Sequence, residues 1–96
     1  MSGHSGDFVG PIVTRGEISD AVAEAVEIDN KDRELRLGEN AGYVRIEVRG
    51  ECVINFDTVS DVLGREFTIT ELERNMPGFS GLIRVDSDHI RFVATK

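Results

Sequence analysis

Paired carboxylates are the first residues in this sequence that could do chemistry. Glu71 with Glu73 and Asp86 with Asp88 each stand two positions apart. On a helix such residues face in different directions, and in a turn they point to water, whereas a general acid and its base must converge in one pocket. Asp86 also begins a stretch like a calcium loop, but the sixth position is arginine where that loop needs glycine. We therefore predict neither acid–base catalysis nor a metal site here.

Histidine and cysteine are too scarce to suggest a second kind of site. The histidines are His4 and His89, so a Ser/His/Asp arrangement would have to use a terminal arm or a turn. The single cysteine, Cys52, excludes an internal disulfide and any multi-cysteine metal site, and we predict it to be a small core residue. The stretch from Gly78 to Gly81 lacks the lysine of a phosphate loop. We expect no catalytic residue and no cofactor, so the chain should act by binding.

Length, composition and charge limit the kind of binding. A chain of 96 residues with a 40% hydrophobic fraction can bury one core and is not disordered. Its net charge of −7 disfavours nucleic acid, and it could either steer the chain to a basic partner or simply aid solubility. No apolar run approaches the roughly 20 residues of a membrane helix, and the N-terminus lacks a secretory pattern. We expect a soluble, cytoplasmic protein that binds no membrane, with a flexible arm at residues 1–7 and one domain at residues 8–96.

Two amphipathic helices are predicted from apolar periodicity and capping residues. The longer covers residues 17–28, where apolar residues recur at helical spacing after a possible capping box of Thr14 and Glu17. The second covers residues 58–63, with Asp57 as its N-cap.

A third, shorter helix lies between two stop signals. Gly64 can take the left-handed conformation that ends the second helix, and Pro77-Gly78 cannot continue the third. Thr68 and Thr70 each have a glutamate three residues later, so two capping-box registers compete for its start. Met76 and Phe79 flank the Pro77-Gly78 turn. The connection is either an ordinary one whose apolar side chains pack inward, or a docking loop held by a rigid scaffold.

Alternating residues predict antiparallel strands around these helices. The clearest strand covers residues 43–49, and a two-residue hairpin turn at Gly50-Glu51 should join it to a return strand that begins at Cys52. Residues 8–13 should form a short edge strand, because Gly10-Pro11 interrupts it and proline cannot donate to a ladder. Further strands are expected at residues 34–37, 79–85 and 90–94. This order predicts an α+β fold in which about three helices cover antiparallel sheets, with a repeated helix-then-hairpin unit.

Six segments, all in one order along the chain, resemble a known protein family. They are V-G-P-I at Val9–Ile12, E-I-D-N at Glu27–Asn30, A-G-Y-V-R-I at Ala41–Ile46, L-G-R-E-F-x-x-x-E-L-E-x-N at Leu63–Asn75, F-x-G-x-I at Phe79–Ile83 and D-x-D-x-I-R-F at Asp86–Phe92. Together they resemble the effector (coupling, or regulatory) proteins of bacterial diiron multicomponent monooxygenases, the MmoB/DmpM family. The likeness is greatest to the effectors of the toluene, alkene and isoprene monooxygenases, and it covers almost everything after Val9.

The resemblance implies a cofactor-free effector that is not itself an enzyme. Proteins of this family bind the diiron hydroxylase component of the same monooxygenase and reshape its active site. They couple electron transfer and O2 activation to the hydroxylation or epoxidation of aromatic hydrocarbons or alkenes. We expect the free effector to be a monomer.

The resemblance also implies where the hydroxylase would be contacted. In the related methane effectors, one segment faces the hydroxylase. The residues of this chain that match that segment are Asn75, Met76, Pro77, Gly78, Phe79 and Ser80, and the resemblance implies that they form the hydroxylase contact. We add Glu71 and Arg74 as candidates at the rim. The chain departs from the methane proteins at Pro77-Gly78-Phe79, where they have small polar residues. We hypothesise that Phe79 or Met76 supplies a buried anchor at the interface.

Two other classes of function compete with this interpretation. A small-molecule-binding regulatory domain would need an apolar pocket with convergent polar groups, and a metabolite would stabilise it against heat. An enzyme would need a convergent set of reactive residues, for which the sequence offers no pattern.

Overall fold

The computed structural model describes residues 7–95, which contain seven strands and three helices. In chain order they are β1 (Phe8–Thr14), α1 (Glu17–Asp29), β2 (Leu35–Glu39), β3 (Tyr43–Arg49), β4 (Glu51–Asn55), α2 (Phe56–Leu63), α3 (Ile69–Arg74), β5 (Gly78–Ser80), β6 (Leu82–Val85) and β7 (His89–Val93). The predictions of α1 and β3 are confirmed, because both elements have strong apolar periodicity over their whole length. The predicted flexible arm at residues 1–7, which includes His4, lies outside the described residues except for Asp7.

The strands form two antiparallel sheets. The first sheet has the strand order β2-β3-β1-β5, and the second has the order β4-β7-β6. Helix α1 is followed by the β2–β3 hairpin, and α2 with α3 is followed by the β6–β7 hairpin. The predicted α+β fold with repeated helix-hairpin units is therefore confirmed.

One hydrophobic core lies between the inner faces of the sheets and the three helices. Each large side chain in it contributes about 1.5–3 kcal/mol through loss of contact with water. The core includes Val9, Val13, Val44, Ile46 and Val48 from the first sheet, Cys52, Ile54, Ile90 and Phe92 from the second, and Val22, Val26, Val59 and Leu72 from the helices. Within residues 7–95, no helix is long and apolar enough to cross a membrane.

Strand β1 lies inside the first sheet, so the prediction of an edge strand is wrong. It pairs with β3 on one side and with β5 on the other. Gly10 and Pro11 do not pair with β3, and the pairing continues at Ile12. The N–H that proline lacks is therefore not needed for the ladder with β3. Gly10 has a φ of 150°, and a Cβ there would collide with the carbonyl oxygen of Ile46. Glycine lets β1 pass this close to β3.

The chain changes sheets at Gly50, so the predicted hairpin at Gly50-Glu51 is wrong. Strand β3 pairs within the first sheet, whereas β4 pairs with β7 in the second. The Gly50 N–H donates to the carbonyl oxygen of Asp7 at 2.6 Å, and the Gly50 carbonyl oxygen accepts from the N–H of Ala94 at 3.0 Å. These bonds to distant segments replace the ladder that a hairpin would have made.

A second change of sheet occurs at Gly81 and divides the single strand predicted at residues 79–85 into β5 and β6. Gly81 has a φ of 98°, which favours glycine. A Cβ there would lie 2.6 Å from Cγ1 of Val9 and 2.8 Å from the carbonyl oxygen of Val93. The close approach of both sheets at this point therefore requires glycine as well.

The start of α1 differs from the prediction, because Thr14 is the last residue of β1 and forms no capping box with Glu17. Gly16 precedes the helix, and its N–H donates to Oγ of Ser19 at 2.9 Å. The Ser19 hydroxyl, buried in the first turn, thereby satisfies the N–H of the residue that precedes the helix, which is the role of the N3 side chain in a capping box.

The ends of α2 and α3 show which capping signals operate. Gly64 ends α2 with a φ of 77°, and Oγ1 of Thr68 accepts from the N–H of Glu71 at 3.3 Å, so both signals are confirmed. Asp57 is not the N-cap of α2, because the helix starts two residues earlier than predicted, with Asn55 as its cap. Packing of Phe56 at the start of the helix, where it is 8% exposed, accompanies this shift.

Candidate functional site

An asparagine fixes the start of residues 75–80, which we call the α3–β5 segment. Nδ2 of Asn75 donates to the carbonyl oxygen of Glu71 at 2.8 Å. The carbonyl oxygen of Asn75 accepts from the N–H of Thr14 at 2.7 Å, which ties the segment to the end of β1. The segment therefore leaves α3 in a defined direction.

The two large apolar side chains of the segment have different environments. Met76 is half-buried and packs against the core, as the inward interpretation predicts. Phe79 is 43% exposed, and its ring lies 5.6 Å from the ring of Phe92 at an interplanar angle of 49°. Pro77, between them, is exposed. Phe79 thus presents an aromatic ring to solvent from a supported position, and it is the accessible one of the two candidate anchors.

Ser80, at the end of the segment, contacts a buried carboxylate. Oγ of Ser80 donates to Oε2 of Glu47 at 3.2 Å, and Nη2 of Arg36 donates to Oε1 of Glu47 at 3.0 Å. Glu47 is only 3% exposed, although alternation along β3 placed it on the solvent side. Gly10, which pairs with Ser80 and lies beside Glu47, has no side chain to block this contact across β1. A buried carboxylate needs such partners, and Arg36 and Ser80 together provide them on the two sides of Glu47.

The two rim candidates differ in how they present their charge. Nη1 and Nη2 of Arg65 donate to the two carboxylate oxygens of Glu71 at 3.0 and 2.7 Å. These hydrogen bonds hold the pKa of Glu71 below its usual range and raise the pKa of Arg65. Arg74 is exposed in the last turn of α3. The Glu71 carboxylate is therefore already paired with Arg65 before any partner binds, whereas the Arg74 side chain is exposed to solvent.

Cys52 has a strongly raised pKa, and its environment is that of a core residue. Burial raises the pKa of its thiol to about 12, with smaller contributions from Asp29 and Glu51. A protonated thiol is a poor nucleophile at neutral pH, so the prediction of a core residue is confirmed. Among residues 7–95, no three His, Cys, Asp or Glu side chains are grouped to hold a metal ion.

A shallow cleft of about 220 Å³ adjoins the segment and was not predicted from the sequence. It is lined by Ile12, Tyr43, Arg45, Pro77 and Gly78. Alternation along β3 correctly directed Tyr43 and Arg45 away from the core. The pairing of β1 with β5, which brings them beside Pro77 and Gly78, has no local signal.

Known proteins resemble this chain along most of its length. Residues 7–93 match the MmoB/DmpM family. The effector subunit of the alkene monooxygenase system of Xanthobacter autotrophicus is 31% identical over 86 residues, which are 90% of this chain and 85% of that protein.

Solved structures show the same architecture. A chain in the structure of the phenol hydroxylase–regulatory protein complex superposes with a TM-score of 0.76 and 28% identity, over 92% of this chain and 99% of that one. Regulatory protein B of soluble methane monooxygenase gives a TM-score of 0.68 over 99% of this chain and 70% of that one, but at 16% identity this likeness concerns the fold alone. The family match, which spans nearly all of the described residues, shows that the chain belongs to the MmoB/DmpM family.

Proposed function

We infer that this chain is the effector subunit of a multicomponent monooxygenase and has no catalytic centre of its own. The observation that carries this inference is the 31% identity to an effector subunit along most of both chains. The similarity to a chain from the complex of phenol hydroxylase with its regulatory protein supports binding to a hydroxylase as the mode of action.

The partner we propose is the diiron hydroxylase of the same monooxygenase, and the effect on it is conformational. An effector that binds one hydroxylase conformation better than another shifts the population by the difference in binding free energy. A coupling free energy of about 1–3 kcal/mol corresponds to a shift of roughly 5- to 150-fold. By this shift the chain reshapes the active site and couples electron transfer and O2 activation to hydrocarbon hydroxylation or epoxidation. It acts in the cytoplasm and is a monomer when free.

A reconstituted oxygenase system tests this function. Purified hydroxylase and its electron-transfer components are supplied with NADH, and product and NADH consumption are measured with increasing amounts of the chain. Product formed per NADH should rise and then saturate. A ratio that is the same with and without the chain refutes the proposed function.

The hydroxylase contact is proposed to be the α3–β5 segment, with Glu71 and Arg74 at its rim and Phe79 as its anchor. Exposed aromatic residues on a rigid support are frequent hot spots, because they bury a large area with little loss of side-chain freedom. Phe79→Ala should weaken hydroxylase binding by about 1–2 kcal/mol, roughly 5- to 30-fold in Kd.

The matched control for Phe79 is Ile28, an apolar residue near the end of α1 that is 44% exposed. Ile28→Ala should change the Kd less than about twofold. Melting curves of both variants separate loss of contact from loss of folding, since Phe79 also packs on Phe92. Equal affinities of the two variants would rule out Phe79 as the anchor.

A further inference from the structure

The first sheet has a depression on the face that points away from the core, which we call the outer face. Glycines in two of its strands cause this depression. The registers place Arg45 of β3 opposite Gly38 of β2 and opposite Ile12 of β1, and Ile12 opposite Gly78 of β5. The row across the four strands therefore has glycine at both ends. Without side chains there, the surface falls away around Arg45 and Ile12, and the 220 Å³ cleft described above lies here.

The depression has an excess of positive charge although the chain is acidic. Glu47 is the buried carboxylate of the neighbouring row, and it accepts a hydrogen bond from Arg36 at 3.0 Å. Its closest approach to Arg45 is 4.0 Å, so the charge of Glu47 is compensated mainly by Arg36. The side chain of Arg45 is 51% exposed and directs its remaining charge into the cleft.

The other walls of the cleft are aromatic and apolar. Tyr43 is 42% exposed, and Ile12 is half-buried at the floor beside the exposed Pro77. A guanidinium group, a phenol and an aliphatic surface together suit a carboxylate that is carried on an apolar stem. Pro77 and Gly78 also belong to the α3–β5 segment, so the cleft continues the surface already proposed for docking.

We propose that this cleft receives a glutamate or aspartate side chain from the hydroxylase surface, with the carboxylate at Arg45 and the stem against Ile12. The inference rests on the proposed function, because it names the chemistry that the hydroxylase presents to the same segment. The docking surface then runs around the edge of the first sheet, from Phe79 on the inner side to Arg45 and Tyr43 on the outer face.

Two substitutions in the cleft test this proposal against purified hydroxylase. Arg45→Gln and Tyr43→Ala should each raise the Kd about tenfold at low salt. Arg45→Gln should also flatten the dependence of the Kd on salt concentration, whereas Tyr43→Ala should leave that dependence unchanged. Arg84→Gln is the matched control, since Arg84 is an exposed arginine on β6 of the second sheet, and its Kd should stay within about twofold of wild type.

The outcomes separate this proposal from the proposed function. If Phe79→Ala weakens binding but neither cleft variant does, the cleft proposal is overturned and the effector function stands. If the wild-type chain does not bind the hydroxylase, both fail. If Arg45→Gln does not fold, Tyr43→Ala decides alone, because the Tyr43 ring lies on the outer face and is not part of the hydrophobic core. If Tyr43→Ala breaks a dimer of the free chain and leaves hydroxylase affinity unchanged, the occupant is a second copy and the proposal is wrong.

Discussion

Asn30→Ala should strongly destabilise the fold, because the Asn30 side chain acts as a short substitute for a neighbouring strand. Strand β4 is at the edge of the second sheet, so the backbone of Val53 has a side without a strand partner. There, Oδ1 of Asn30 accepts from the N–H of Val53 at 2.9 Å, and Nδ2 donates to the carbonyl oxygen of Val53 at 2.8 Å. Nδ2 also donates to the carbonyl oxygen of Val26 at 2.8 Å, which joins the end of α1 to the sheet.

The expected loss of stability follows from these three hydrogen bonds. Each contributes about 0.5–1.5 kcal/mol net, and more where a buried backbone group is left without a partner. Asn30 is 7% exposed, so water cannot fully replace it without rearrangement. We expect a decrease of about 3 kcal/mol in the free energy of unfolding. For a domain of this size, that decrease lowers Tm by roughly 10–25 °C.

Urea unfolding followed by circular dichroism measures this loss, and Asn40→Ala is the matched control. Oδ1 of Asn40 accepts from the N–H groups of Gly42 and Tyr43, both at 2.9 Å, but this turn is exposed. Water can take over those bonds, so the control should lose less than about 1 kcal/mol. The m value should not change in either variant. If the two substitutions cost the same, the argument that Asn30 covers the edge of β4 is wrong.

Three further predictions concern Gly81 and Cys52. Gly81→Ala should cost about 3 kcal/mol or more in urea unfolding, because strain at positive φ adds to the contacts with Val9 and Val93. Gly64→Ala, which also has positive φ but nothing within 4 Å of the new Cβ, should cost only about 1 kcal/mol, and equal costs would contradict the packing argument. A thiol reagent at neutral pH should modify Cys52 only as fast as the protein opens, since burial raises the thiol pKa to about 12, and rapid labelling of the folded protein would show that the site is accessible. The folded state favours the protonated thiol. The free energy of unfolding of wild type should therefore decrease, relative to that of Cys52→Ala, as pH rises from the ordinary thiol pKa of 9.0 towards 12.

Much of the local structure was predicted correctly from causes that lie within a few residues, although the caps at the starts of α1 and α2 were not. The periodicity of α1 and β3, the left-handed cap at Gly64 and the threonine cap at Thr68 depend on neighbours along the chain, and all are present. The candidate site from Asn75 to Ser80 came instead from the resemblance to the methane effectors, together with the two apolar residues beside the Pro77-Gly78 turn, and it stays a prediction. The exposure of Phe79 and the packing of Met76 could not be predicted, because both residues are apolar and only their three-dimensional neighbours distinguish them.

The amino-acid sequence by itself determined which segments form helices and strands, which faces are apolar, and that the chain offers no evident set of catalytic residues. Tertiary structure alone decided which strands are neighbours. The chain changes sheets at Gly50 and Gly81, and β1 is an inner strand, because backbone groups distant in sequence pair there in place of sequence neighbours. Gly50, for example, bonds to Asp7 and Ala94. The burial of Glu47 and the cleft beside Arg45 follow from that pairing, since Glu47 is covered by residues of β2 and β5, and the cleft is lined by residues of β1, β3 and β5.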